Sequence, residues 1–296
     1  MLFLITLYCY GWFIGEMSNY SIFNDSYGKH YTDNNYICEF VRFELFSDYY
    51  QHYNGEIESR TQDVVRNLER LMNEIWMDFR QKVMKNVKRE NIYGLEIIID
   101  ESGAYMEDFL RIYYGMMECS DAEVQFYFEK PFFEKLLMRE NAVMFHVRFE
   151  GGIIPMEFVI YGAENCYSYF EGTDYEYFYT RANDFFKFKI IMWAKENGLK
   201  NFVLGGSQEF DDRIFQCKIN LALHGIEDFY IGRKTFDENL YWELLSIRSK
   251  GNKDMEDKLI HIGFFRRISG DIEKIVYFLY LLRLWDPICP LQRKEA

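Results

Sequence analysis

The residues with chemical potential in this chain gather between positions 171 and 218. Glu171 and Asp174 close a strand-like segment, and Arg181 and Asn183 stand where a helix opens. Gly205 and Gly206 follow a short apolar run, and Asp211, Phe215 and Lys218 come next on a helix-period segment. A carboxylate in such a place can take a proton, a lysine or arginine can meet a phosphate or carboxylate, and paired glycines let backbone approach a ligand closely. The set holds no activated nucleophile. There is no Ser-His-Asp pattern and no GxSxG elbow. Six cysteines at 9, 38, 119, 166, 217 and 289 show no CxxC or Cys/His metal spacing, so neither a zinc site nor a disulfide scaffold is expected, and isolated cysteines suit a reducing cytosol. Proton transfer and substrate positioning remain, with no metal.

Each of these residues has a plainer alternative. Asp211 and Asp212 can cap their helix, as Asn183 can its own. Gly205-Gly206 can be a simple turn, and Lys218 and Arg42 can be solvated surface cations. His146 sits inside a strand and reads as structural. Eight aromatics between Tyr161 and Tyr179 can line a groove for a sugar or peptide, or pack a sheet.

The elements that position the set follow from periodicity and turn signals. Val64 to Val87 repeats its apolar residues at three- and four-residue spacing, predicting one long amphipathic helix or two short ones ending near Glu90. Arg80, Lys82, Lys85, Lys88 and Arg89 crowd its last turns, as cations complementing a helix C-terminus or as a phosphate-binding patch. EFVRFELF (39–46) reads as a strand or helix edge. A strand is expected at 95–100, then helices at 104–118 and 130–140, with Pro131 in the first turn of the second. Three strands at 142–150, 153–161 and 166–172, joined by Gly151-Gly152 and Gly162–Asn165, make an antiparallel meander. A helix from about 183 to 197 is closed by Gly198, and a strand at 201–205, a helix around 211–223 and a strand at 227–232 complete the series. The order is β-α-α-β-β-β-α-β-α-β. Further helices are expected at 237–248 and 254–285.

With 296 residues, 49% apolar and 27% charged, the chain is an ordinary globular length of one or two domains. Its net charge of −13 excludes nucleic-acid binding by the whole surface and leaves only a local basic patch. The opening apolar run of about 14 residues is too short to span a bilayer and reads as a buried strand.

That element order is the order of the GCN5-related N-acetyltransferase (GNAT) fold, an α/β fold on a mixed sheet. The stretch FEGTDYEYFYTRANDFFKFKIIMWAKENGLKNFVLGGSQEFDDRIFQCKINL (170–221) resembles the second domain of the FemAB-like proteins, a GNAT branch that includes peptidoglycan interpeptide-bridge aminoacyltransferases. The likeness rests on Glu171-Gly172-Thr173-Asp174 ending a strand, Ala182-Asn183 opening a helix, Trp193 to Gly198 closing it, Leu204-Gly205-Gly206, and Asp211-Asp212, Phe215 and Lys218 beyond. With EFVRF (39–43) and 64–89 it covers roughly 39–236.

The resemblance implies acyl transfer to an amine on a cell-envelope or surface-polysaccharide precursor, with acyl-CoA or aminoacyl-tRNA as donor and a cytoplasmic location that can include the inner membrane face. It implies a catalytic role for Glu171, Asp174 or Asp211. Arg42, Arg181, Asn183, Gly205, Gly206, Phe215 and Lys218 would contact substrates, around a gap between strands 166–172 and 201–205. Three regions are expected: an incomplete first GNAT-like domain (1–93), the acyltransferase domain (94–236) and a helical extension (237–296). Two features depart from the family pattern. Its first domain is cut short, or the start lies further upstream, and the stretch 173–184 lacks the glycines of a Q/R-x-x-G-x-G/A pyrophosphate loop. A non-catalytic FemAB-like binding protein and an acetyl-CoA-dependent enzyme acting on an amino sugar are the alternatives.

Overall fold

A computed structural model describes residues 2–5, 20–89, 93–120, 122, 126–206, 213–250 and 252–253. The expected helix at 254–285 lies outside them, as do Asp211 and Asp212. The described residues fall into two compact units, one of residues up to 61 with those from 228 onward, and one of residues 62–227. These divisions differ from boundaries at 93 and 236, and the strand pairings say why.

In the first unit, strand β1 (Leu2–Ile5) runs parallel to β2 (Tyr36–Arg42). β2 is antiparallel to β9 (Ile226–Thr235), with Glu39 opposite Lys234. The last strand of the β-α series therefore pairs with a strand of the N-terminal region, which carries residues 228–235 into that unit. Helix α1 (Tyr20–Asp33) buries Tyr27 and Tyr31. Helix α8 (Glu238–Ser249) starts where the Asp237 carboxylate accepts the Leu240 N–H at 3.0 Å, and it covers the expected 237–248.

β3 (Glu56–Asn67) spans the division between the units. Its second half begins the sheet of the second unit, whose order is β3-β8-β7-β6-β5-β4. These are β4 (Glu96–Asp100), β5 (Ala142–Phe149), β6 (Gly152–Tyr161), β7 (Asn165–Thr173) and β8 (Asn201–Gly205). β4 to β7 form the antiparallel meander, β7 and β8 are parallel, and β8 is antiparallel to β3. The β5–β6 hairpin turns on Glu150 and Gly151, both with positive φ (49° and 86°), so the tight turn sits one residue before Gly151-Gly152.

β5 and β6 are buried along nearly their whole length because helices cover both faces. Helices α4 (Met106–Cys119) and α5 (Lys130–Leu137) pack one face through Phe109, Tyr113, Phe133, Phe158 and Phe170, whose rings meet edge to face at 4.9–6.0 Å. Pro131 opens α5 as expected. Helix α6 (Ala182–Glu196) covers the other face with Phe185, Phe186, Ile190, Ile191 and Ala194, and Gly198 follows it at φ 76°.

The segment 64–89 is corrected in part. Residues 64–67 belong to β3, and two short helices follow, α2 (Met72–Met77) and α3 (Gln81–Val87). Ile75, Phe79, Val83 and Val87 keep a four-residue spacing across the break and enter the α6 core. The break is fixed by buried polar groups. Arg66 pairs with Asp78 at 2.7 Å and donates to the Leu221 carbonyl, while Arg80 N–H bonds the Asn220 carbonyl at 2.9 Å. Helix α7 (Arg213–Ile219) completes the unit.

Candidate active site

The centre of the second unit is the seam between β7 and β8. Their pairing covers only Asn165–Tyr167 against Asn201–Val203. Beyond it the strands no longer pair, although β7 continues to Thr173 and β8 to Gly205. The other edge of β7 carries an irregularity at the same place. Against β6, Val159 faces Ser168 and Phe158 faces Phe170, so Tyr169 is one residue too many. Such a bulge bends its strand and sharpens its twist, and it falls just after the last residue paired with β8.

The bulge also resets which side chains share a face. Ser168 and Glu171, three apart, both reach the ammonium of Lys187 on α6, with Ser168 Oγ at 3.0 Å and Glu171 Oε2 at 2.5 Å. Glu157, directly opposite Glu171 on β6, approaches the same Nζ at 2.7 Å, off the angle of a hydrogen bond. Glu157 is fully buried, the Lys187 side chain is 8% exposed and the Glu171 side chain 40%. Burial pushes the Glu157 carboxyl above its ordinary range. Burial acts the same way on Glu171, but the ammonium groups of Lys187 and Lys218 outweigh it and hold that carboxyl low. Burial works against charging Lys187, and its two carboxylates reverse that and raise its pKa.

Gly205 ends β8 at φ 77°, and the Lys218 ammonium donates to the Gly206 carbonyl at 2.8 Å. Phe215, on the same helix, is 5% exposed and packs in the α6 core. Glu171, Gly205, Gly206 and Lys218 are thus gathered at the end of the seam. Phe215 anchors the helix beneath Lys218.

The other expected residues lie further along or elsewhere. Asp174 caps the 3-10 turn Tyr175–Thr180 and pairs with Arg111 at 2.8 Å. Asn183 accepts a hydrogen bond from Thr173 Oγ1 at 2.7 Å. Arg181 is left-handed (φ 56°) and precedes α6. Arg42 ends β2 in the first unit. Asp211 lies outside the described residues. Sequence reasoning missed Glu157, Lys187 and Ser168, though a lone Glu inside IIPMEFVIY and a lysine inside FFKFKII were the available signals.

Two N–H groups at the start of α6 are already engaged. Ala182 N–H is held by Thr180 Oγ1 (3.2 Å), Asp184 N–H by the Arg181 carbonyl (3.3 Å), and Asp184 adds negative charge to the first turn. Asn86 of α3 donates to Asp184 at 2.6 Å, and Lys82 also acts on it. α3 therefore lies beside this helix start with Lys82, Lys85, Lys88 and Arg89 exposed. Of the aromatic run, Phe170 is packed in the core and Tyr177 against it, while Tyr175, Phe178 and Tyr179 are exposed. His146 is fully buried, and burial lowers its pKa to about 4, so it stays neutral near Asp100.

Residues 77–212 match the family described as acetyltransferase (GNAT) domain. The fold and seam accordingly define a GNAT acyltransferase fold. Solved structures similar to this chain include FemX, at 10% identity and TM-score 0.54, covering 73% of this chain and 75% of that one. The C-terminal domain of a lysylphosphatidylglycerol synthetase from Agrobacterium fabrum shares 12% identity at TM-score 0.55, covering 82% and 78%. L-PGS from Bacillus licheniformis shares 11% at 0.54, covering 74% of each. A comparison with curated protein sequences returned no match. Among the described residues no helix is long and apolar enough to cross a membrane, and no cluster of His, Cys, Asp and Glu could hold a metal.

Proposed function

We propose that this chain transfers an acyl group from an activated donor to an amine, with the open end of the β7–β8 seam as the reaction site. The observation that carries the reading is the parting of these parallel strands at the Tyr169 bulge, with the partly exposed Glu171 carboxylate at the gap. Acyl transfer to an amine needs placement of both reactants, a proton acceptor and donors for the developing oxyanion. Glu171 supplies the acceptor. Backbone N–H groups at the end of β8 supply oxyanion donors, and Lys218 supplies positive charge beside Gly206.

The donor reading turns on the start of α6. Its engaged N–H groups and Asp184 disfavour a pyrophosphate there. The exposed lysines of α3 beside it favour a donor whose phosphates spread over a longer track, as in an aminoacyl-tRNA. Acyl-CoA is the alternative donor. The acceptor is an amine on an envelope or surface-polysaccharide precursor.

A thermal melt with acetyl-CoA, longer acyl-CoAs and a charged tRNA tests this. A donor held at about 100 times its dissociation constant stabilises the native state by about 2.7 kcal/mol, a readily visible shift. Charge reversal at Lys82, Lys85 and Lys88 is expected to abolish the tRNA shift. If no donor moves the midpoint, the reading is wrong and a non-catalytic binding protein replaces it.

A further inference from the structure

Glu157 and Glu171 face each other directly across β6 and β7. Like charges opposite one another in an antiparallel pair are destabilising. A buried ion cluster is also commonly no more stable than apolar residues of the same volume. Stability therefore does not account for two carboxylates here. Lys187 resolves the repulsion: its Nζ lies 2.7 Å from Glu157 Oε2, 2.5 Å from Glu171 Oε2 and 3.0 Å from Ser168 Oγ. Glu157 is sealed from solvent, whereas Glu171 is not.

We propose that Glu157 and Lys187 form a fixed clamp that aims the Glu171 carboxylate into the β7–β8 gap, where it takes the proton of the attacking amine. The inference rests on the acyl-transfer reading and deepens it. Glu171 is the catalytic residue, and Lys187 and Glu157 are positioning residues. The amine lone pair forms the C–N bond to the acyl carbon, whose carbonyl electrons move to oxygen. The adduct's N–H⁺ passes its proton to Glu171. Collapse breaks the bond to the sulfur or oxygen leaving group, which departs with the bonding pair and receives that proton from Glu171. The carboxylate is thereby regenerated, and the products are an amide and a neutral thiol or alcohol. The groups that act on Glu171 are Lys187 on α6 and Lys218 on α7, and on Glu157 they are Lys187, Glu171, Ser168 and the neighbouring Cys166 thiol.

The decisive measurement is a carboxyl ¹³C NMR titration of Glu-labelled protein, with signals assigned through Glu171→Gln and Glu157→Gln. In the unsubstituted protein Glu171 is expected to titrate below 4.5, the ordinary value, and Glu157 above it. Lys187→Met strands two carboxyls in the core, so Glu157→Gln/Lys187→Met serves as the variant that folds with Glu171 as the sole acid. There Glu171 is expected to move up, with Lys218 still acting on it. An unmoved Glu171 overturns the clamp, whatever the donor. With a donor that shifts the melt, Glu171→Gln is expected to lower kcat about 10²- to 10⁴-fold with the donor KM unchanged. In Glu157→Gln/Lys187→Met the acid limb of kcat/KM is expected to move up, whereas Lys187→Arg, which keeps the cation, is expected to leave it close to the parent's. An unchanged kcat in Glu171→Gln overturns the base assignment. Failure of the acyl-transfer reading looks different: no donor raises the melting midpoint, while the titration still decides the clamp.

Discussion

Gly206→Ala probes the end of the seam most directly. A methyl group built on Gly206 lies 2.5 Å from Asp63 Oδ1 and 2.7 Å from the Gln62 carbonyl oxygen. A carbon–oxygen contact relaxes near 3.3 Å or more, so a retreat of about 0.6–0.8 Å is required. Gln62 is backbone of β3, which pairs with β8 two residues later at Val64 and Gly205. A retreat there cannot be taken up by a side-chain rotation alone. Overpacking of this kind costs about 1–3 kcal/mol. Unit two is in the size range where each 1 kcal/mol lowers Tm by about 2–4 °C, so the expected drop is about 2–12 °C. Two controls separate the contributions. Gly198→Ala adds a methyl into open space at φ 76°, so only the left-handed backbone is penalised, by about 1 kcal/mol. Gly205→Ala has nearly the same φ, and its methyl meets Lys218 Nζ at an ordinary 3.5 Å. Urea unfolding of the three variants, with m compared to the parent, reads the series. Gly198→Ala and Gly205→Ala are expected to agree within about 0.5 kcal/mol, with a change at Gly206 set by crowding alone. A Gly206→Ala protein as stable as the parent would refute the close approach of β3 to the end of β8.

Three other outcomes are expected. Arg66→Met leaves the Asp78 carboxylate, 7% exposed, without its buried cation, and is expected to cost about 3–5 kcal/mol by urea unfolding; Arg66→Met/Asp78→Leu should recover most of that loss. Glu39 is buried and accepts hydrogen bonds from Tyr27 and Tyr53, and its pKa is raised by that burial. The folded state thus binds its proton more tightly than the unfolded chain, so its contribution is full below 4.5 and is lost as pH rises toward the folded value. Comparing the parent with Glu39→Gln by urea unfolding at pH 4.5 and 7 should show the parent losing ground at the higher pH, by no more than about 1.4 kcal/mol per pH unit; an equal difference at both pH values refutes it. Asp100 accepts hydrogen bonds from Ser102, Gly103, Ala104 and Tyr105 N–H groups, and although burial pushes its carboxyl up, these bonds hold it low. Asp100→Ala is expected to destabilise by about 2 kcal/mol at pH 7, with the gap from the parent narrowing as acid protonates the parent's carboxylate below 3.8.

The meander and its helices were readable because each carries a local signal. β5 to β7 are apolar runs between turn residues, Pro131 and Gly198 mark helix ends, and Leu204-Gly205-Gly206 marks where β8 stops. β3 was not readable. Its first half, EIESRTQD, has no apolar alternation, and Val64 and Val65 fall in phase with the helical spacing that follows from Leu68 to Val87. Helix α1 is equally unmarked, being largely polar with Gly28 inside. At the site, Glu171, Gly205, Gly206 and Lys218 were recognisable from their order along the chain. The Lys187 clamp was not, because Glu157 and Lys187 are 30 positions apart and meet only through strand pairing and helix packing. Arg42 ends a strand of the other unit, and the pairing of β9 with β2 depends on contacts between distant segments, which periodicity does not encode.

Tyr169 gives β7 one more residue than the track of β6 it runs along. Surplus length on a fixed track has to be taken up as a bend, and it falls where the ladder with β8 stops. The end of that ladder thus coincides with a difference in residue count between β7 and β6. Removing Tyr169 would leave Ser168, Phe170 and Glu171 opposite the same β6 partners, yet would let β7 lie flat and continue its ladder with β8. A chain shortened by that one residue would keep every polar group of the clamp and close the doorway in front of it.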